Sequence, residues 1–361
     1  MRLSFWTFDL RLRHNWTVAN AVVREPRAAH VVFVRLVDCD GVVGTGEAAP
    51  SMRYGEDCAS VARLFERVDA GCLSFEDLAE SMAVIEAMGP GNFAAKAALN
   101  MALIDGAARR GGQPAYAFLG LTFSEGRHVT SFSIGMDSPE AIRAKVLDAA
   151  QYPILKLKLG SATDRENLAA LRSVAPDKLL RLDANEAWPD RETALRNIEW
   201  LAHDRRIEMI EQPMPASRPI EDFIWIKERS PLPVYADESF HASEDVAACA
   251  AGFHGVNVKL IKTGGMTRTL EALRKARSAG LKTMIGCMVE SSLAISAAAH
   301  LCDSADRVDL DGNLLAENDP YRGVSAEKGV LSFAAAPALD GLMAREINSV
   351  SSERDARPEA D

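Results

Sequence analysis

Apolar residues follow two different rhythms along this chain. Residues 31–37 (VVFVRLV) form a β-branched run that leads into Asp40-Gly41, a hairpin-type dipeptide, and VVGTGEAAP at 42–50 then resumes an extended pattern. From about Ser60 to Leu119 the spacing changes to three and four residues, placing Ala94, Ala98, Met101, Ile104 and Ala108 on one helical stripe. A small antiparallel sheet followed by helices predicts an α+β lobe. Past residue 125 the texture becomes repetitive: a short apolar run, a polar turn, then a helix with its own start signal. The runs are HVTSFSI (128–134), ILKLKL (154–159), LLRLDA (179–184), IEMIEQ (207–212), PVYADE (233–238), GVNVKL (255–260), KTMIGC (282–287) and RVDLDG (307–312).

Helix starts are marked between these runs by Ser138-Pro139, by Thr163 with Glu166 three residues on, by Asp190 and by Ser243, and helix ends by Gly252 and Gly280. Strands alternating with capped helices call for parallel βαβ units, and eight of them close most economically as a (β/α)8 barrel. A doubly wound open sheet is the competitor, but its usual glycine-rich nucleotide loop is missing; GVVGTG lies in the first lobe and lacks the spacing.

Composition narrows the partners. The 361 residues carry a formal charge of −10 with no Lys/Arg-rich run, which argues against nucleic acid and against an electrostatic membrane anchor. Asp9, Arg11 and Arg13 interrupt the amino terminus where a signal peptide would be apolar, and no window is apolar enough to span a bilayer, so a cytoplasmic location is expected. Six scattered cysteines suggest neither a zinc site nor a disulfide framework. The polar stretch 351–361 is expected to be a solvated, disordered tail.

Charges stand where apolar strands should end: Lys156 and Lys158, Asp183, Glu211, Asp237 and Lys259 at five successive runs, with Asp309 and Asp311 on the eighth. The carboxyl end of barrel strands is the catalytic face of this architecture. Asp183, Glu211 and Asp237 on adjacent strands would repel one another unless a hard cation such as Mg²⁺ held them. Lys158 and Lys259 flank that cluster in strand order and face each other across the mouth. Two amino groups on opposite sides of a metal-held substrate suit a 1,1-proton transfer at a carbon next to a carboxylate, through a metal-stabilised enediolate. Lys156 and Lys158 share a strand face, and their mutual repulsion beside Mg²⁺ is expected to lower a lysine pKa.

These residues closely resemble the enolase superfamily, in the muconate lactonizing enzyme subgroup. The matching pieces are K-L-K at 156–158, D-A-N at 183–185, E-Q-P at 211–213, A-D-E-S at 236–239, N-V-K then T-G-G within 257–265, and G-C-M-V-E-S at 286–291; residues 94–120 and 42–57 resemble its capping domain and specificity loop. The resemblance implies a modified (β/α)7β barrel (123–324) under an α+β capping domain (1–122, with a return over about 325–350). It also implies Asp183, Glu211 and Asp237 as Mg²⁺ ligands and Lys158 and Lys259 as the acid/base pair, with Lys156 beside them and Lys262 as the rival on the sixth strand.

D-L-D-G at 309–312 resembles the signature of the family's dipeptide epimerases, in which Asp309 and Asp311 would bind a free α-ammonium. The resemblance thus implies an isomerase that inverts the carboxy-terminal residue of an L,L-dipeptide, with L-Ala-L-Glu from murein recycling as the specific candidate. Arg24 resembles the arginine that grips a glutamate side chain; Arg53 and Tyr54 suit a lid, and Ser133 a substrate contact. Glu317 and Asp319 favour instead a cationic first residue. The partners expected are thus a small-molecule dipeptide and further copies of the chain, without nucleic acid or membrane. The alternatives are a cycloisomerase or o-succinylbenzoate synthase on the same scaffold, and a catalytically silent binding protein.

Overall fold

A computed structural model of the chain describes residues 1–14, 28–347 and the backbone of 354–355. The first lobe opens with strands β1 (Arg2–Arg11), β2 (Ala28–Val37) and β3 (Val43–Ala48), which pair antiparallel in that order. β2 and β3 are the hairpin expected around Asp40-Gly41: Val37 pairs with Val43, Gly41 takes φ +81°, and the Asp38 carboxylate accepts the amides of Asp40 and Val42. β1 is an addition to the sequence expectation. Leu3, Ser4, Phe5 and Trp6 are all buried, so the strand lacks the alternation that marks one buried face.

Glycines in β3 decide how the lobe packs. Gly44 and Gly46 share one strand face and lie against the helix Phe93–Arg110, where a Cβ on either would collide with the carbonyl oxygens of Ala102 and Ala98. The next residue, Glu47, points the opposite way. Fully buried, it accepts the Ser291 amide (2.8 Å), the Ser291 hydroxyl (2.5 Å) and the Ala294 amide (3.2 Å) at the start of the helix Ser292–Ala299. One strand therefore grips a helix of each lobe.

The eight apolar runs contain the eight strands β4 (Phe132–Ile134), β5 (Ile154–Lys158), β6 (Leu179–Asp183), β7 (Ile207–Glu211), β8 (Val234–Ala236), β9 (Gly255–Lys259), β10 (Lys282–Gly286) and β11 (Arg307–Asp309). They form one parallel sheet in chain order, and a parallel bridge between Thr130 and Val308 joins its two ends. Between consecutive strands run helices Pro139–Asp148, Asp164–Val174, Arg191–Leu201, Ile220–Arg229, Val246–Gly252, Met266–Ser278 and Ser292–Ala299. β11 is followed by a short 3-10 turn, Gly312–Leu315, so the repeats are not eight equal units; the barrel is (β/α)7β.

Two expected helix starts differ. Thr163 makes no side-chain cap; the Asp164 carboxylate instead takes the amides of Gly160 and Ser161. Ser243 opens a 3-10 turn, and Asp245 closes it on the amides of His241 and Ala242. After the barrel the chain returns to the first lobe: Leu342 N–H donates to Asp105 (2.8 Å) and Arg35 pairs with Glu346 (2.9 Å). Within the expected tail, Arg354–Asp355 pairs with β1 at Ser4 and Phe5.

Candidate active site

Strand register sets the site. Across the sheet Lys158 pairs with Asp183 and Asp183 with Glu211, while Gly286 pairs with both Lys259 and Asp309. Asp237 follows the last residue of β8, so the charges ring the carboxyl end of the barrel, and β5 and β9 lie four places apart on opposite walls. Above the ring is a cavity of about 320 Å³ lined by Lys156, Lys158, Lys259, Asp309 and Asp311 and roofed by Arg53 and Tyr54.

Asp183, Glu211 and Asp237 are buried and present oxygens within 4.8 Å of one another. Asn257 Nδ2 donates to Glu211 Oε1 (2.8 Å), and a Cβ at position 286 would press on that Asn257 amide. Glu211 Oε2 lies 2.8 Å from the Lys156 ammonium yet receives no well-aligned hydrogen bond. A buried carboxylate oxygen without a well-aligned hydrogen bond, grouped with two further acids, fits a hard divalent cation. Burial and then Asp183 push the Glu211 carboxyl up to about 7, so without a cation this acid resists ionising.

The lysines are tied to the carboxylates. Lys158 Nζ lies 2.6 Å from Asp183 Oδ2; Lys156 Nζ lies 2.7 Å from Asp309 Oδ2 and 3.2 Å from Asp183 Oδ2; Lys259 Nζ lies 2.7 Å from Asp237 Oδ2. Lys262 is fully enclosed below, donating to both the carboxylate and the carbonyl of Asp237, and it does not line the cavity. A lysine pKa is expected to fall beside Mg²⁺; the carboxylates alone act on Lys156 and Lys259 in the opposite direction. Burial lowers both, but for Lys156 the charges of Asp309, Glu211 and Asp183, and for Lys259 that of Asp237, outweigh it and hold each well above its ordinary value. A cation shared by the triad would cancel much of the charge that favours the ammonium forms.

Burial works against the Asp309 charge, but Lys156 and Ser131 offset it and bring the carboxyl to about 2; burial and Asp309 together raise Asp311 to about 6. Ser133 donates its amide to Asp311 (2.6 Å). Arg53 forms a two-pronged pair with Glu186 (2.8 and 2.6 Å), so it joins the lid to the barrel rather than pointing into the cavity as a free cation. Tyr54 stands edge-on to His241 at 5.3 Å.

The Asp319 carboxylate takes the amide and hydroxyl of Ser292 and the amide of Tyr321. Glu317 and Asp319 line an adjoining hollow, beside Arg13 and Tyr152, that shares Ser133 and Leu315 with the cavity. Arg24 falls outside the described residues. Asn257, Glu186 and Ser131 were not anticipated. Ser131 carried a signal, because it lies two residues before Ser133 on the same strand face.

Residues 10–120 match the mandelate racemase / muconate lactonizing enzyme N-terminal domain, and residues 140–328 match the enolase C-terminal domain-like family. The chain belongs to the mandelate racemase / muconate lactonizing enzyme family. Within that family it is 55% identical, over 96% of its length and 99% of the relative's, to an L-Ala-D/L-amino acid epimerase from Pedosphaera parvula. It is 38% identical, over 95% and 88%, to an L-Ala-D/L-Glu epimerase from Bacteroides thetaiotaomicron. A solved family structure, a dipeptide epimerase from Cytophaga hutchinsonii complexed with Mg and D-Ala-L-Val, superposes with a TM-score of 0.90 over 99% of both chains at 26% identity.

Proposed function

We propose that this protein is a Mg²⁺-dependent dipeptide epimerase that inverts the α-carbon of the carboxy-terminal residue of an L,L-dipeptide. The observation that carries the reading is the placement of Lys158 and Lys259 on opposite walls of one cavity, with Asp183, Glu211 and Asp237 between them and Asp309 and Asp311 to one side. Mg²⁺ held by the three carboxylates would supply the positive charge that the substrate carboxylate needs as its α-proton leaves. One lysine, neutral, takes that proton; the other, protonated, delivers a proton to the opposite face. Asp309 at the end of β11 and Asp311 just beyond it give a substrate ammonium a partner. A cycloisomerase substrate without an ammonium would leave that pair without a use. Arg53, Tyr54 and Ser133 bound the remaining space.

The catalytic barrel is taken as 123–324 and the lid-bearing unit as 1–122 with 325–350. Among the described residues no helix is long and apolar enough to cross a membrane, and the six cysteines are free, which suits the cytoplasm. Assembly of copies into a homo-oligomer belongs to the same proposal and is read by light scattering of the purified chain.

The test is incubation with Mg²⁺ and L,L-dipeptides, L-Ala-L-Glu first, in D₂O. A gain of one mass unit together with chiral inversion is expected. Absence of exchange on every dipeptide overturns the reading.

A further inference from the structure

Beneath the site lies a charged cluster, buried at Arg181 and half-buried at Glu208 and Arg307, that the proton transfer itself does not use. Arg181, on β6, is enclosed in the barrel, where an apolar plug would avoid the desolvation cost of a charge. Its Nε donates to Glu208 Oε2 (2.8 Å), and the other Glu208 oxygen takes Arg307 Nε (2.8 Å). Arg181 Nη1 donates to Val308 O (2.5 Å) and to the Ser131 hydroxyl oxygen (3.3 Å).

The direction of the next bond follows from donor chemistry. Arginine has no acceptor, so Ser131 accepts from Arg181 and must send its single hydroxyl proton elsewhere. It sends it to Asp309 Oδ1, 2.5 Å away. The other oxygen, Oδ2, holds Lys156 at 2.7 Å. Both acids line the cavity, but both Asp309 oxygens are thus engaged, whereas Asp311 is held from one side by Ser133.

We propose that Arg181, acting through Ser131, is a positioning residue that fixes Asp309 on Lys156, so that the two acids divide their work: both face the substrate's ammonium, and Asp309 alone also holds the lysine. This rests on the dipeptide epimerase reading.

The experiment is steady-state kinetics of the Mg²⁺-loaded protein on L-Ala-L-Glu. Ser131→Ala lowers kcat about tenfold with KM within about twofold, and Ser131→Thr, which keeps the hydroxyl, recovers most of the loss. Asp311→Asn shows the opposite split, with KM raised at least about tenfold and kcat changed less. A Ser131→Ala variant whose KM rises like that of Asp311→Asn while kcat is kept overturns the division, as does a Ser131→Thr variant no better than Ser131→Ala. A crystal structure of Ser131→Ala needs no substrate: Lys156 leaving Asp309 supports the positioning, and an unchanged 2.7 Å contact overturns it. If the unaltered protein exchanges no dipeptide, the epimerase reading fails by itself while this structural readout still decides the positioning.

Discussion

Lys158 and Lys259 are the residues whose loss is most informative, because they work on opposite faces of one carbon. Either Lys158→Ala or Lys259→Ala is expected to lower epimerisation by about 10²–10⁴-fold. Each variant keeps the other base, so each still exchanges the α-proton of one epimer with D₂O, a different epimer in each case. Proton NMR of both epimers checks this, and loss of exchange on both epimers in both variants would count against two independent bases. These lysines were legible in sequence because a charge ending an apolar strand stands out against its neighbours. Asp319 is harder to read for the opposite reason: it sits in a loop, where nothing local tells a helix cap from a substrate contact, and its partner Ser292 lies on another element. Ser131 and Asp309 are 178 residues apart, a pairing that barrel closure creates and no local pattern records.

Element by element, the barrel was easier to read than the lobe above it. All eight barrel strands lie within the apolar runs, since each is short, buried and flanked by helix signals. β1 escaped notice because adjacent buried residues leave it no period of two. β3 offers two tests. Gly46→Ala drives a methyl group into the Ala98 carbonyl and is expected to cost about 1–3 kcal/mol of stability, measured by urea unfolding. Glu47 is held at about 7 by its burial, against an ordinary value of 4.5, with its hydrogen bonds from Ser291 offsetting part of the rise. Between those values the folded chain keeps a proton that the unfolded chain releases. The stabilisation linked to this group is therefore full below the unfolded value and is lost as pH rises through about 7. Glu47→Gln removes that titration, so its destabilisation relative to the unaltered chain should be larger at about pH 5 than at about pH 8, by up to roughly 3 kcal/mol. Unfolding curves at both values decide it, and an equal cost at both would contradict the assignment.

For the whole molecule, the first lobe shares an apolar core with one side of the barrel, where Ala94, Ala98 and Leu103 join Leu293, Ile295 and Leu310, while Leu155, Leu182 and Val256 belong to a second cluster in the rest of the barrel. A single unfolding transition is expected, and Mg²⁺ should shift all of it: a cation at about 100 times its Kd adds about 2.7 kcal/mol. Calorimetry with Mg²⁺ and with chelator checks this, and a shift confined to part of the melt would indicate separable units. The shared core also bears on how a dipeptide gets in. β3 is seated on a lobe helix through Gly44 and Gly46 and bolted to a barrel helix through Glu47, and the lid residues Ser51, Arg53 and Tyr54 come directly after it. Such a strut leaves no hinge between the two bodies. Among the described residues, entry and exit then fall to the short lid, which Arg53 latches to Glu186, rather than to a swing of one domain away from the other.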